Sequence, residues 1–392
     1  MSMTQEEADC VVLDNGSHKI KAGYAGNDCP IHTFRTVIGT PLHKDQTIDG
    51  VSKKCYVGDQ AIQNMDALDI RRPIERGIVT DWEAMETVWT HVFDNLSVKP
   101  SDKDILLTEP QMNPKSNREK MVQIMFEKIQ PRGMYVISSN VLSHYANGRV
   151  SGLLIDSGFE VTSVVCIYEG YEVTQSMFRS DIGGNDITNY LIELLGKRGF
   201  AFTTAEEIEE VNMMKERCAY VSTNPEAEKV DDIKKDYTCS NGTTVCLGEE
   251  RFQCMEAMFD PSLIGSKACG IHELILKSIK ACPVHVRADI YVNVLISGGN
   301  TMVAGLIDRI DQELRKALPV NLRKRVIAPP ERLYSTWIGG SILSSLTTAQ
   351  SMWMRLEDYD EFGPNIVYGP GFCRRQSSQS EICCGMSGRI MS

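Results

Sequence analysis

Apolar and polar positions along this chain follow two alternating periods. Short runs at Val11–Leu13, Ile105–Leu107, Met134–Ile137, Leu153–Ile155 and Asn293–Ile296 have the length and β-branched content of buried strands. Helical spacing separates them. Met85, Val88 and Trp89 follow a capping signal at Asp81-Trp82-Glu83, and Met121, Ile124, Met125 and Ile129 share a face within Asn117–Ile129. Ile187, Tyr190, Leu191, Leu194 and Leu195 make a strong helix of Asp186–Leu195, ended by Gly196 and Gly199. Ala205–Val221 predicts another, whose acidic start (Glu206, Glu207, Glu209, Glu210) suits the positive end of the helix dipole and reads as a solvated face. Trp337–Gly340 opens a helix carrying Ile342, Leu343, Leu346 and Trp353, Thr33–Gly39 reads as one short strand, and Pro41–Cys55 as an exposed loop. Strands alternating with helices in this way predict an α/β fold with largely parallel sheets.

Two of the strands end alike. Val11–Leu13 stops at Asp14-Asn15-Gly16-Ser17 and continues to Lys21-Ala22-Gly23; Leu153–Ile155 stops at Asp156-Ser157-Gly158 and continues through Val161–Tyr168. A strand ending on Asp-x-Gly presents backbone N–H groups, and at Ser17 a hydroxyl, to phosphate oxygens. Asp14 would face a metal ion bound to those phosphates and Lys21 the phosphates themselves. Asp-Asn-Gly is also a common turn, so the recurrence carries the weight. It suggests two related lobes with one phosphate loop from each, against the alternative of two unrelated strand-turn signals. The glycine pairs Gly298-Gly299 and Gly339-Gly340 suit either ordinary loops or close backbone approach to a ligand.

Composition narrows the class. At 392 residues two domains are expected, and 42% apolar with 24% charged residues describes a globular chain. No run approaches the roughly 18 apolar residues of a membrane span. Met1–Cys10 is polar and acidic, so no signal peptide is expected and the cytosol or nucleus is the default. A net charge of −11 argues against nucleic acid as a direct partner. The 13 cysteines have no repeating frame, which suits reduced thiols. Cys269-x2-His272 and Cys282-x2-His285 offer zinc-type ligands, but the helix-like segment between them favours two ordinary half-buried pairs.

With these residues in view, the chain resembles the actin family. Asp14–Ser17 with Lys21–Gly26 is similar to its first phosphate loop. Leu106–Glu109, Asn113–Met121, Gln123–Glu127, Ala328–Arg332, Trp337–Leu343 and Tyr359–Glu361 match further blocks, so that the resemblance runs from about Cys10 to Phe372. It implies the two-lobed actin-like ATPase fold: duplicated α/β domains with a nucleotide cleft between them. The first lobe would be 1–146, completed by 335–372, the second 147–334, and 373–392 a flexible tail. It also implies ATP or ADP with Mg2+ or Ca2+ as cofactors. Gly16, Ser17, Lys21 and Gly158 would hold phosphates, and Asp14 and Asp156 would surround the metal through water. Gly184, Gly298 and Gly299 would pack near the nucleotide, with Lys215 and Glu216 at its ribose and base. Implied partners are other actin-family subunits or actin-binding proteins, in the cytoplasm and cytoskeleton, with the nucleus also open.

Departures from the family concentrate where hydrolysis happens. Ser139 stands in place of a glutamine and Ser163 in place of a histidine, the two groups that orient the attacking water. Losing one such group costs roughly 10²–10³ in rate. Phe159-Glu160 replaces Asp-Gly after the second loop, and like charges 4 Å apart repel by about 4 kcal/mol at an effective dielectric of 20. Leu333 replaces a lysine and Val303 a tyrosine around the base, and His18 replaces a glycine. The loop tip Lys44–Thr47 and the segment Leu263–Lys267 are more polar than the family's filament contacts. The serine-rich tail carries Cys383-Cys384, while Arg389 stands where a prenylated cysteine would be required. The expectation is a cytoskeletal actin-related protein that holds nucleotide, with hydrolysis weak or lost, and acts by filament assembly or as a complex subunit. The alternatives are a conventional ATP-hydrolysing filament protein and a structural scaffold with a vestigial site. On catalysis, the ATPase fold and the two serines point in opposite directions.

Overall fold

The apolar run at the start of the chain becomes the strand Cys10–Asn15, buried over nearly its whole length inside a six-stranded sheet. The strand order is Met354–Arg355, Gly133–Ser138, Asp104–Glu109, Cys10–Asn15, Lys19–Tyr24, His32–Arg35. Cys10–Asn15 runs parallel to Asp104–Glu109, which runs parallel to Gly133–Ser138, and it turns back antiparallel into Lys19–Tyr24. Every residue of Asp104–Glu109 is buried, as its unbroken apolar centre requires. The computed structural model describes residues 9–43, 53–225, 228, 233–317 and 325–368. The tip Lys44–Thr47 of the expected loop and the tail 373–392 lie outside the described residues.

Helices complete this first unit. Asp81 caps Trp82–Leu96 by accepting from the Ala84 N–H at 3.0 Å, and the helix buries Met85, Val88 and Trp89. Ser335–Ser344 sets Trp337 fully inside, its indole N–H donating to the Val12 carbonyl at 3.0 Å. Two residues on, a Cβ added to Gly339 would lie 1.8 Å from the Leu142 carbonyl oxygen. No side chain fits where this helix crosses Ser139–Ala146.

In the second unit, Thr162–Tyr168, Gly152–Ser157, Asn293–Ser297 and Arg325–Ile327 are successive neighbours in a sheet, and Phe178–Ser180 pairs with Thr162–Tyr168. Gly152–Ser157 runs parallel to Asn293–Ser297, as Cys10–Asn15 does to its own inner neighbour. The helices Gly184–Lys197 and Ala205–Cys218 follow the predicted spacing. The described residues of Met1–Gly152, Ile167–Glu172 and Tyr334–Ser392 form one compact unit, those of Leu153–Cys166 and Val173–Leu333 the other. The excursion of 167–172 into the first unit ends in a hairpin with Glu169 and Gly170 at positive φ.

Local readings need correction in four places. Thr33–Gly39 is not one strand: His32–Arg35 and Ile38–Pro41 join different sheets, and Thr36 between them bonds to the Gly16 and His18 carbonyls instead. Ser138 does not merely end a strand but caps the helix Ser139–Ala146. The helix from Ser335 stops at Ser344, and Thr347–Met352 is a 3₁₀ segment, so Trp353 is not on it. Helix Lys115–Ile124 continues as a π turn over Met125–Ile129 and closes with Gln130 left-handed.

One buried group carries a pH signature. His144 is fully buried, and neither ring nitrogen has a hydrogen-bond partner among the described residues. Burial pushes its pKa down from 6.5 to about 3. The folded chain therefore holds it neutral while the unfolded chain takes up a proton below about 6.5, so its contribution is complete above that pH and is lost progressively toward pH 3. Denaturant titrations of the wild type and His144→Leu should show the wild type losing about 2–3 kcal/mol relative to the variant between pH 6.5 and 4.5.

Candidate functional site

The first loop is a closed set of charges and hydrogen bonds at the head of its sheet. Asp14 is 6% exposed. Lys21 Nζ lies 2.6 Å from its Oδ2, and the Thr108 hydroxyl donates to its Oδ1 at 3.1 Å. Thr108 also accepts from the Asn15 N–H at 2.8 Å, and the Trp89 indole N–H donates to Asn15 Oδ1 at 3.1 Å. Register places Asp14 opposite Lys21 across the hairpin, so the ion pair follows from strand pairing. Ser17 Oγ accepts from the Gly77 N–H at 3.1 Å, which leaves its own proton to donate outward. Gly16 is needed by the turn itself, because a Cβ there would meet the Lys19 carbonyl oxygen at 2.5 Å.

The second loop belongs to the other unit and is built differently. Asp156 occupies the penultimate position of its strand, as Asp14 does, and is half-buried. Ser157 Oγ shares a hydrogen bond with the Thr162 hydroxyl at 2.8 Å and accepts from Asn300 Nδ2 at 3.0 Å. The N–H groups of Gly184 and Asn185 donate to the Gly158 and Phe159 carbonyls at 3.0 and 2.7 Å. The start of helix Gly184–Lys197 is therefore tied to this loop, and two of its N–H groups are spent on it. Gly298, at φ 95, packs so closely that a Cβ would sit 2.3 Å from the Ser157 carbonyl oxygen. Gly158 differs: the nearest atom to an added Cβ would be the Val161 carbonyl oxygen at 3.6 Å. Packing therefore does not require a glycine at 158, but its backbone is already engaged: its N–H donates to the Val161 carbonyl at 2.8 Å and its carbonyl accepts from the Gly184 N–H.

The expected base and ribose contacts sort unevenly. Lys215 is 7% exposed and turned inward, its Nζ donating to the Gly184 carbonyl at 2.6 Å, Thr188 Oγ1 at 2.9 Å and Asn212 Oδ1 at 3.0 Å. Burial lowers its pKa to about 8. Glu216 is exposed and accepts from Asn212 Nδ2 at 3.3 Å. Gly299 lies against Leu333, and Leu333 and Met302 are exposed apolar side chains of this unit. Arg332 steadies the glycine turn by donating to the Thr301 carbonyl at 3.0 Å.

Ser139 is the first residue of its helix, half-buried; Ser163 is 6% exposed on a strand, opposite Arg179. Beside Ser139 stands a carboxylate that the sequence reading passed over. Glu172 Oε1 accepts from the Ser138 hydroxyl at 2.7 Å and Asn140 Nδ2 at 3.3 Å. Burial raises its pKa, those two hydrogen bonds act the other way, and nearby Glu109 adds to the rise. Thr108, Asn300 and Gly183 were missed as well. Thr108 lay inside the matching block Leu106–Glu109, and Asn300 and Gly183 each adjoin a glycine already singled out, so position in the chain was the available signal.

Within the first unit, Lys21 and Ser17 are donors suited to a phosphate oxygen, and Asp14 there and Asp156 in the second unit each stand one residue before the end of a strand. No group of three metal-ligating side chains occurs among the described residues. The pairs Cys269/His272 and Cys282/His285 lie at opposite ends of Ile271–Ala281, about 16 Å of helix.

An Asp-headed strand–turn–strand loop repeated on two α/β units defines the actin-like fold class. The Actin family model matches residues 5–369. An actin-like protein from Neurospora crassa is 39% identical over 368 residues, covering 91% of this chain and 97% of that protein. The chain belongs to the actin family.

The buried lysine supplies a direct check. With its folded pKa near 8 and its ordinary value at 10.5, Lys215 carries a fixed penalty below pH 8 that is relieved as pH rises toward 10.5. The stability of the wild type measured against Lys215→Met should therefore improve over that window, by at most about 1.4 kcal/mol per pH unit.

Proposed function

We propose that this actin-family protein binds ATP or ADP and acts by filament assembly or as a subunit of a larger complex, with hydrolysis weak or lost. The observation that carries the reading is the first loop, where Asp14, Lys21 and Thr108 form a complete charge-paired set while Ser139 and Ser163 replace the water-orienting groups. In this reading Lys21 turns from Asp14 to phosphate, and Ser17 donates its proton to a phosphate oxygen. Asp14 and Asp156 would be the acids to hold a hydrated Mg2+ or Ca2+, and that ion would supply neutralising charge to the phosphates. A serine hydroxyl reaches less far than a glutamine amide or an imidazole from the same backbone, so water is left without its directing groups. Exposed Leu333 and Met302 give the base an apolar surface in place of polar contacts. Binding partners are other actin-family subunits or actin-binding proteins, with the cytoplasm as the site of action.

A second reading, a scaffold with a vestigial site, draws on the second loop. A Cβ on Gly183 would lie 2.5 Å from the Phe159 carbonyl oxygen, so that turn is packed tightly on the chain's own backbone.

Purified protein heat-denatured in the presence of magnesium should release about one nucleotide per chain, and Asp14→Ala or Lys21→Ala should lower that at least tenfold. An empty preparation, or occupancy indifferent to both substitutions, would favour the scaffold. Phosphate release should be near background in the wild type and rise at least about tenfold in the Ser139→Gln, Ser163→His double variant. Rapid wild-type release coupled to sedimentable polymer would restore the conventional filament reading.

A further inference from the structure

We propose that Cys269 and Lys277 form a redox modification site, at which hydrogen peroxide joins the cysteine Sγ to the lysine Nζ through a single oxygen atom. Cys269 immediately precedes Gly270, the N-cap of Ile271–Ala281, and Lys277 lies on that helix. The Lys277 ammonium donates to Cys269 Sγ at 2.7 Å. Sulfur is larger than oxygen, so this separation is shorter than an N–H···S contact ordinarily reaches and close to what one bridging oxygen spans. Lys277 is exposed and Cys269 half-buried, so a dissolved oxidant reaches the pair.

Cys269 also lines a small, partly open pocket with Thr162, Ser180, Ile182, Met258 and Leu274. It leaves about 10 Å³ open to the centre of a water-sized molecule, room for a very small polar guest. Ser180 is 6% exposed, and its hydroxyl has no hydrogen-bond partner among the described residues. A buried hydroxyl in that state calls for a polar occupant, for which a single water is the right size. The fully buried thiols of Cys10, Cys166 and Cys254 have pKa values pushed up to about 12 by burial and stay protonated, so they do not compete as nucleophiles.

The chemistry balances with two peroxides. The thiolate attacks one peroxide oxygen, the O–O bond breaks, and sulfenic acid and hydroxide result, the hydroxide taking a proton from solvent to become water. The amine, having released its extra proton to solvent, is oxidised by the second peroxide to the hydroxylamine, with loss of another water. The hydroxylamine oxygen then displaces hydroxide from the sulfenic sulfur, and the amine-side proton leaves with it as a third water. Sulfur and nitrogen are each oxidised by two electrons, and both peroxides are reduced. The product staples the middle of the helix to the residue just before its N-cap.

Peptide mass spectrometry of the peroxide-treated full-length protein tests this. A tryptic fragment Ala268–Lys280, uncut after Lys277, should gain one oxygen and lose two hydrogens, and cleavage after Glu273 should leave its halves linked. Excess dithiothreitol should restore the unlinked form. Lys277→Arg, which keeps the exposed charge, and Cys269→Ser should both abolish the link. Sulfinic or sulfonic acid at Cys269 with Lys277 still cleavable, a link that persists in Lys277→Arg, or a pair untouched by peroxide would each overturn the proposal.

Discussion

The first unit depends on a contact that admits no side chain. Helix Ser335–Ser344 lies so near Ser139–Ala146 that Gly339 faces the Leu142 carbonyl with no space for a methyl group. A Cβ on the neighbouring Gly340 would stand 2.7 Å from Val12. Trp337 from the same helix donates to the Val12 carbonyl, so one turn of helix binds both a second helix and the central strand. Burying an indole with its N–H satisfied is worth a few kcal/mol, most of it from the ring's area. The strand so anchored carries Asp14 one residue before its end. A change that forced these helices apart would displace the head of the first loop along with the core.

The two loops share an outline and differ in where their polar groups are spent. In the first, the charges neutralise one another and the Ser17 proton remains available. In the second, the backbone N–H groups that begin helix Gly184–Lys197 are already donated to Gly158 and Phe159. Lys215 shows the same economy: its ammonium satisfies three neutral acceptors inside its own unit. Its bonds rigidify the start of that helix, so any influence on a nucleotide would pass through Gly184.

Much of the fold was legible because hydrophobic period reports burial directly. Val11–Leu13 and Ile105–Leu107 read as buried strands from their unbroken apolar runs, and Trp82–Leu96 from its spacing behind a capping aspartate. The misreadings share a cause. Thr36 looked like a strand residue until its bonds to Gly16 and His18 proved more favourable than continuing a ladder. Ser138 does end its strand, and its hydroxyl caps the next helix as well. Trp353 kept helical spacing with a helix that had already stopped, because periodicity does not register where backbone bonding changes from α to 3₁₀.

For the site, residue chemistry and chain order were enough to single out Asp14, Lys21, Asp156 and the glycines, since an acid and a glycine after an apolar run are a local pattern. Local pattern also supported membership of the actin family, through blocks spread along the chain. Which of those residues face outward was decided by packing. Gly16 and Gly298 serve the chain's own backbone, Gly158 is bonded to Val161 and Gly184, and Lys215 points inward. Glu172 beside Ser138, and Lys277 against Cys269, are pairings that no single residue's identity announces. Sequence determines which groups are present and their local spacing; only the tertiary structure decides which donors and acceptors are already satisfied, because hydrogen bonds and close packing are settled between segments far apart in the chain.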